Sequence, residues 1–417
     1  MTDIPNTLLG AHTMSASRGL IDKLKDLPRS ARFALRLLLR FRTGRLTVIL
    51  PDERALTFEG DTNAPHAVLQ LNNYAIIRKV FSRGDVGFAE SYMDGDWSTP
   101  DLPAVLTVFS ANLDQIRSMV TGGPITRLVN WVLHRLNANT RSGARKNIEA
   151  HYDLGNDFYE LWLDDTMTYS SARFTEFAQD LKSAQTEKYA ALARMIDLRE
   201  GQHVLEIGCG WGGFAEYAAS EIGAKVTCLT LSPSQRDFAL KRMERLGLSD
   251  KVEIKLQDYR DETGQYDAIA SIEMFEAVGR EYWPSFFSKL HDALKPGGKA
   301  GLQIITIKDE LFESYSKRAD FIQHYIFPGG VLPSEEKLSE QFENAGLAFD
   351  HIERFGQDYA RTLNIWLERF TAHWPEIEHQ GFDERFKRLW AFYLGYCEAG
   401  FSTGRINVAQ FQLTRPA

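Results

Sequence analysis

The sequence predicts an α/β protein in which a Rossmann-like core follows a smaller N-terminal α+β domain. Three observations support this prediction. The second half alternates short apolar strands with helical segments, a glycine-rich turn follows the first of these strands, and the first hundred or so residues combine a basic helix with a hairpin pattern. A chain of 417 residues is long enough for two or three domains.

Charge and cysteine content narrow the possible functions. The net charge is -8, so the surface as a whole is not built to neutralise nucleic-acid phosphates, and we expect no nucleic-acid partner. Cys209, Cys228 and Cys397 are widely spaced, which indicates neither a disulfide framework nor a metal site. The sequence shows no secretory leader and no apolar run of membrane-spanning length, so we expect a cytoplasmic protein.

The predicted N-terminal domain, residues 1–125, carries a local basic excess. Between Arg18 and Arg45 there are nine Lys or Arg residues and two Asp residues. The run LPRSARFALRLLLRFRTG has helical spacing, with Phe33, Leu37 and Phe41 on one stripe. Two interpretations stay open: a solvated helix that packs on its own domain, or a surface helix attracted to anionic lipid headgroups. Next, RLTVILPDERALTFEG predicts a hairpin with its turn at Pro51-Asp52.

An apolar helix at about residues 126–136 and a polar, basic stretch after it predict a linker over 126–150, with the second domain at 151–417. Five strands of this domain can be read in order, each followed by a helix or a turn. They are HVLEIG, KVTCLTLS, VEIKLQD, YDAIASIEMFE and KAGLQIITI.

The turn in VLEIGCGWGG places Gly208, Gly210 and Gly212 between a strand and a helix, where a nucleoside can approach the backbone. A dinucleotide enzyme could use such a turn, but three details favour S-adenosylmethionine. Glu206 at the strand end would repel a pyrophosphate and suits a cationic cofactor. The second strand ends in TLSPSQ without an acidic residue for the ribose, although Ser232 or Gln235 could bond its hydroxyls.

The third detail is QDYRD after the third strand. It places Asp258 where its carboxylate can accept a hydrogen bond from the adenine amino group, beside Tyr259, which can stack. For Glu206 and Asp258 the alternative is a structural role in a helix cap or a loop salt bridge. Taken together, the three details predict a methyltransferase core.

A series of further motifs resembles the cyclopropane fatty acid synthase family, which includes mycolic acid cyclopropane synthases and related fatty-acyl C-methyltransferases. The resemblance covers nearly the whole chain. Its segments are GFAESYMDGDW, HYDLGNDFYELWLDDTMTYSSARF, VLEIGCGWGG, TLSPSQ, QDYRD, SIEMFEAVG, FIQHYIFPGG, YARTLNIWLERF and FYLGYCEAGF.

The resemblance implies the cofactor contacts and the reaction. The cofactor contacts that it implies are Tyr169, Ser170, Gly208, Gly210, Thr230, Ser232, Gln235, Asp258, Tyr259 and Ile272. In the family, a cis double bond attacks the sulfonium methyl group, and the resulting cation loses a proton to close a ring. A bicarbonate ion serves as the base, held by a Glu, a Tyr, a His, a Cys and a backbone group at an Ile.

Glu276, Tyr359 and Ile305 match that bicarbonate site. Two positions depart from it, because Ser171 replaces the Cys and Gln303 replaces the His. Both can still donate to an anion, but the departures leave the product open between a cyclopropane and a methyl- or methylene-branched chain. Cys397 matches a family cysteine, for which a packing or pocket-lining role is favoured over catalysis. His151 and its neighbours are expected to shape a lid over the cofactor.

The resemblance further implies an unsaturated phospholipid substrate in the membrane surface, peripheral association with the inner face of the membrane, and a homodimer. A soluble methyltransferase acting on a small molecule or RNA is the alternative. The basic amphipathic helix and the acidity of the whole chain favour the lipid enzyme. A third possibility, a non-catalytic lipid carrier, is disfavoured by the intact glycine turn and Glu276.

Overall fold

The computed structural model describes residues 13–117 and 154–417, which form two compact units. The first unit contains the described part of residues 1–130 together with Gly381–Thr403, and the second contains the described part of 131–380 together with Gly404–Ala417. The predicted linker at 126–150, the helix predicted at 126–136 and the lid residue His151 lie outside the described residues.

The first unit contains a mixed five-stranded sheet with strand order β1-β3-β2-β4-β5. Its strands are β1 (Thr13–Ser15), β2 (Thr43–Ile49), β3 (Ala55–Glu59), β4 (Asp61–Leu71) and β5 (Trp97–Ser98). Strands β2 and β3 pair antiparallel from Arg45 opposite Glu59 to Ile49 opposite Ala55, which confirms the predicted hairpin.

The described residues of the first unit form seven α-helices, numbered here along the described parts of the chain. They are α1 (Arg18–Lys23), α2 (Arg29–Leu38), α3 (Ala75–Arg83), α4 (Asp85–Met93), α5 (Leu102–Ala111), α6 (Leu113–Arg117) and α17 (Glu384–Ser402). The sequence assigned α17 to the second domain, whereas α17 packs against α4 and α5. A Cβ on Gly395 would lie 3.1 Å from Leu106 Cδ1, so the two helices approach closely there.

The predicted basic helix is present as α2, but its buried face differs from the predicted stripe. Ala31 and Leu35 are buried, while Phe33 is 50% exposed and Leu37 is partly exposed. Phe41 is buried, but it lies beyond the end of the helix. The apolar residues of this run therefore divide between the core and the surface, because the buried face of the helix contains Ala31 and Leu35 and not Phe33 and Leu37.

The second unit contains a seven-stranded sheet with strand order β11-β12-β10-β9-β6-β7-β8. Its strands are β6 (His203–Ile207), β7 (Lys225–Thr230), β8 (Val252–Leu256), β9 (Tyr266–Ile272), β10 (Leu294–Ile307), β11 (Ala348–Arg354) and β12 (Ile406–Thr414). Strands β6 to β10 are the five strands that the sequence predicted, and they pair in parallel.

One edge of the sheet is antiparallel, which the sequence did not predict. Strand β12 lies between β10 and β11 and runs antiparallel to both. Its residues come from the last part of the chain, more than 90 positions after β10, so a local pattern could not place them beside that strand.

In the described part of this unit, ten α-helices accompany the sheet. They are α7 (Asn156–Glu160), α8 (Leu181–Met195), α9 (Gly213–Tyr217), α10 (Pro233–Arg245), α11 (Trp283–Ala293), α12 (Asp309–Tyr315), α13 (Phe321–Tyr325), α14 (Glu335–Asn344), α15 (Gly356–Ala372) and α16 (Trp374–His379). Among the helices of the described residues, none is long and apolar enough to cross a bilayer.

Candidate active site

The glycine turn after β6 has the backbone geometry that only glycine adopts easily. Gly208, Gly210 and Gly212 have φ angles of 82°, 52° and 84°. A Cβ on Gly208 would lie 2.6 Å from the Met274 side chain, so this position also lacks room for a side chain. A Cβ on Gly210 would meet no described atom within 4 Å, so the backbone there is open to a ligand.

Glu206 stands just before this turn and is 3% exposed. Cys228 Sγ donates to its Oε2 over 3.5 Å, and burial raises the pKa of the Glu206 carboxyl to about 8 despite that bond and a hydrogen bond to the backbone of Ala215. The carboxyl therefore links β6 to β7 and to the start of α9. Glu206 therefore supports the turn, and its contact with the cofactor stays a prediction.

The residues of TLSPSQ contact one another at the end of β7. Thr230 Oγ1 donates to Gln235 Oε1 over 3.1 Å and accepts from the Ser232 backbone N–H over 3.1 Å. Ser232 caps α10, because its Oγ accepts from the Gln235 backbone N–H. All three are buried, so this segment is held rigidly beside the glycine turn.

Asp258 and Tyr259 follow β8, as predicted. The Asp258 carboxylate accepts from Arg260 Nε over 2.8 Å and from Arg260 Nη2 over 2.6 Å, and it also accepts from the Arg260 backbone N–H. The Tyr259 ring packs edge-on against Phe286. The loop salt bridge is thus present. Ile272, the last residue of β9, lies at the same sheet edge as the glycine turn.

Tyr169 and Ser170 lie in the segment between α7 and α8. The Tyr169 ring centroid is 5.5 Å from those of Trp162 and Trp366. Ser170 Oγ accepts from Lys188 Nζ over 2.7 Å. Lys188 is completely buried, and burial lowers the pKa of its ammonium to about 7, although nearby carboxylates, Glu273 foremost, act in the opposite direction.

A carboxylate that the sequence analysis did not select, Glu273, lies at the centre of the site. Its Oε1 accepts from the Ser171 backbone N–H over 2.8 Å and from Gln303 Nε2 over 2.8 Å, and its Oε2 accepts from Tyr359 Oη over 2.6 Å. Three residues expected to hold bicarbonate therefore contact one side chain. The Ser171 hydroxyl instead donates to the Ala172 carbonyl.

Glu273 has a φ of 49°, in the left-handed region that non-glycine residues rarely adopt. Its backbone N–H donates to the Gln303 carbonyl over 2.8 Å, which holds this conformation at the end of β9. Strain of this kind costs about 1 kcal/mol or more and is concentrated at functional sites.

Glu276 lies one short turn further along the chain. Its Oε1 accepts from the Ile305 backbone N–H over 2.5 Å, so the two groups expected to hold bicarbonate contact each other, while its buried Oε2 has no hydrogen-bond partner among the described residues. Burial, with the charge of Glu273 beside it, raises the pKa of Glu276 to about 8. At neutral pH, Glu276 therefore holds a proton, while burial also raises the pKa of the Glu273 carboxyl against the Tyr359 hydroxyl and the charge of Lys188, which lower it.

The other catalytic candidate, Cys397, lies on α17 of the first unit and is partly exposed. Its role stays a prediction. The residues missed from the sequence are Glu273 and Lys188. A signal for Glu273 was present, because a charged residue directly after a buried parallel strand lies at the ligand-binding edge of the sheet.

The sheet order, the glycine turn and the residues around it define an S-adenosylmethionine-dependent methyltransferase. Residues 139–411 match the family model described as mycolic acid cyclopropane synthetase. The chain belongs to this family.

Two curated relatives extend over most of the chain. The tuberculostearic acid methyltransferase of Mycobacterium tuberculosis is 39% identical over 93% of this chain and 92% of its own length. The cyclopropane-fatty-acyl-phospholipid synthase of Escherichia coli K12 is 35% identical over 84% of this chain and 88% of its own length.

Solved structures agree with this assignment. A cyclopropane synthase from Mycobacterium tuberculosis is 31% identical, with a TM-score of 0.61 over 65% of this chain and 98% of its own. A mycolic acid cyclopropane synthase complexed with SAH and CTAB is 30% identical, with a TM-score of 0.62 over the same shares. The chain is therefore a lipid-modifying methyltransferase that uses S-adenosylmethionine.

Proposed function

We propose that this enzyme transfers a one-carbon unit from S-adenosylmethionine to the cis double bond of an unsaturated acyl chain in a membrane phospholipid and closes a cyclopropane ring. The observation that carries this proposal is the pair of carboxyl groups of Glu273 and Glu276, two partly buried residues that follow the strand beside the glycine turn. Methylation of a nitrogen or oxygen nucleophile forms no carbocation, whereas addition to an alkene does and then requires a base.

The aromatic side chains near the pair suit the same chemistry. Trp366 is fully buried, and its ring centroid lies 5.5 Å from that of Tyr169 and 6.1 Å from that of Tyr359. Ring faces attract a nearby cation, and this attraction is strongest where water is excluded. These rings would stabilise both the sulfonium cofactor and the cationic intermediate.

A methyl- or methylene-branched product is the second candidate. It is favoured by Ser171 and Gln303, which depart from the family residues, and by the 39% identical relative, which is a tuberculostearic acid methyltransferase. A methyl-branched chain would in addition need a reductant. A soluble substrate, small molecule or RNA, is the remaining alternative.

The bicarbonate ion that the resemblance implied does not fit this arrangement. The Ser171 N–H, the Gln303 amide and the Tyr359 hydroxyl all donate to Glu273, and the Ile305 N–H donates to Glu276. An additional anion would have to displace a carboxylate of the chain from these donors. We therefore derive no step through bicarbonate.

The proposal is tested by incubating the purified protein with S-adenosylmethionine and liposomes of cis-monounsaturated phospholipid, with saturated and trans-unsaturated liposomes as matched controls. We expect a gain of one CH2 in the cis lipid alone, with cyclopropane proton signals in the NMR spectrum. Olefinic signals with the same mass gain would establish the branched product. No gain in any lipid would contradict the lipid substrate.

We also propose that α2 contacts the membrane surface. Arg29, Arg32 and Arg36 lie on the same helix as the half-exposed Phe33, and Arg40 follows the helix end, although Arg36 is paired with Asp22. A basic helix with an exposed aromatic side chain binds anionic interfaces through charge and through partial burial of the ring. The homodimer is proposed from the resemblance alone, and sedimentation equilibrium tests it.

Replacing Phe33 with Ser is expected to weaken binding to anionic vesicles by about tenfold, because the exposed ring loses its apolar contact with the interface. Vesicle co-sedimentation measures this effect. Phe177→Ser is the matched control, since Phe177 is 96% exposed and lies in the other unit. Equal loss in both variants, or no loss in Phe33→Ser, would contradict the role of α2.

A further inference from the structure

We propose that Glu273 is the base of the reaction, so that a carboxylate of the chain itself replaces a bound anion and accepts the proton released by the transferred carbon. This inference rests on the proposed function. It begins from the finding that the donors expected around an anionic base surround the Glu273 side chain instead.

The arrangement of lone pairs identifies the oxygen that would react. A carboxylate offers two acceptor positions on each oxygen. Both positions on Oε1 are used, by the Ser171 N–H and the Gln303 amide, whereas Oε2 accepts from Tyr359 and has no second donor among the described residues. The remaining position on Oε2 is the one that can take a proton.

The step is balanced without any further reagent. The π electrons of the double bond form a bond to the methyl carbon while the C–S bond breaks, and its electron pair stays on sulfur as S-adenosylhomocysteine leaves. A C–H bond of the transferred carbon then breaks. Its electrons close the ring, and the proton goes to Glu273 Oε2. For the methylene-branched product, a 1,2-hydride shift first moves the cation to the methylated carbon, and the electrons of the same C–H bond then form the double bond. Release to water restores the carboxylate.

The surroundings of Glu273 adjust its basicity in the direction that the step needs. Burial raises the pKa of Glu273, which strengthens the base, while the hydrogen bond from the Tyr359 hydroxyl and the charge of the nearby Lys188 act in the opposite direction and favour the ionised form. Lys188 is held by Ser170 and Gln185, with Nζ to oxygen distances of 2.7 Å. A base whose pKa approaches the working pH is the most effective one.

The backbone supplies independent support. Glu273 holds a left-handed conformation at a φ of 49°, which glycine would adopt without strain. Glu273 costs about 1 kcal/mol of backbone strain at this position, and it also places a carboxylate inside the protein. Both features lower the stability of the fold. This is the pattern expected of a catalytic group.

Two substitutions test the inference. Glu273→Gln preserves the shape but cannot accept the proton, and we expect turnover to fall about 10²–10⁴-fold while the Kd for S-adenosylmethionine, measured by calorimetry, changes little. Glu273→Gly vacates the carboxylate site and relieves the backbone. It should be equally inactive in bicarbonate-free buffer and should regain activity on addition of bicarbonate or formate, which Glu273→Gln should not.

Wild-type turnover should be unaffected by removal of bicarbonate. Near-normal turnover of Glu273→Gln, or a wild-type enzyme that stops without bicarbonate, would overturn the inference. If Glu273→Gly does not fold, the turnover of Glu273→Gln is sufficient to test the inference. Failure of the proposed function can be told apart from failure of this inference, because the wild-type enzyme would then form no lipid product.

Replacing Tyr359 with Phe is expected to move the acid limb of the rate profile to higher pH, because Glu273 loses a donor that favours its ionised form. Turnover below neutral pH should fall about tenfold, with less effect at high pH. Tyr217→Phe, on α9 of the same unit, is the matched control. An acid limb that does not shift in Tyr359→Phe would contradict the influence of Tyr359 on the pKa of Glu273.

Discussion

Replacing Arg242 with Met is expected to lower the free energy of unfolding by about 3 kcal/mol, since a buried guanidinium with several partners would be removed. Arg242 is 6% exposed and forms an ion pair with Glu216. Its Nη1 also donates to the Thr166 carbonyl over 2.7 Å and to the Trp211 carbonyl over 3.3 Å. The substitution would leave these acceptors without that donor.

The same change should weaken cofactor binding, because Trp211 lies within the glycine turn. Trp211 Nε1 donates to Asn156 Oδ1 over 2.8 Å, so the turn is connected to α7 as well as to α10. Chemical denaturation and calorimetry measure the two effects. Arg245→Met is the control, as Arg245 is exposed on the same helix. An equal loss of stability in both variants would contradict the role assigned to Arg242.

The second large effect concerns Glu276 and depends on pH. Its pKa is about 8 in the folded protein against 4.5 in the unfolded chain, so folding takes up a proton between these values. The unfolded state binds fewer protons in this range, and stability contributed by Glu276 is present below pH 4.5 and is lost as pH rises towards 8. Glu276→Gln has no such loss.

The stability of Glu276→Gln relative to wild type should therefore increase by about 2–4 kcal/mol between pH 5 and pH 8. Denaturation midpoints across this range measure the difference, and a pH-independent difference would contradict a neutral Glu276. Because an amide resembles the protonated carboxyl, turnover at pH 7 should fall by less than about tenfold, far less than in Glu273→Gln.

The sequence predicted the parts of the fold that local patterns specify. Strands β6 to β10 were found because buried parallel strands are short apolar runs between helices, and the β2–β3 hairpin was found from its turn. The antiparallel insertion of β12 and the packing of α17 on the first unit were not found. Both join segments that are far apart in the chain, and no local pattern carries that information.

In the site, too, local motifs predicted some features, whereas others depend on the tertiary structure. Motif matching identified Ser171, Gln303 and Tyr359, but it assigned them to a bound anion, because it compares positions and not the directions of side chains. Only the geometry shows that all three contact Glu273. The sequence did not predict a role for Lys188, because a lysine in a helix is usually solvated. The complete burial of Lys188 depends on the tertiary fold.

The most direct test of the central claim, one-carbon transfer to an acyl double bond followed by loss of a proton to the chain, is the fate of label from S-adenosylmethionine with a fully deuterated methyl group. Mass spectrometry of the cis-unsaturated phospholipid product should show two of the three methyl deuterons retained, because the third leaves to the base. A product that keeps all three, or no labelled lipid at all, would contradict the account.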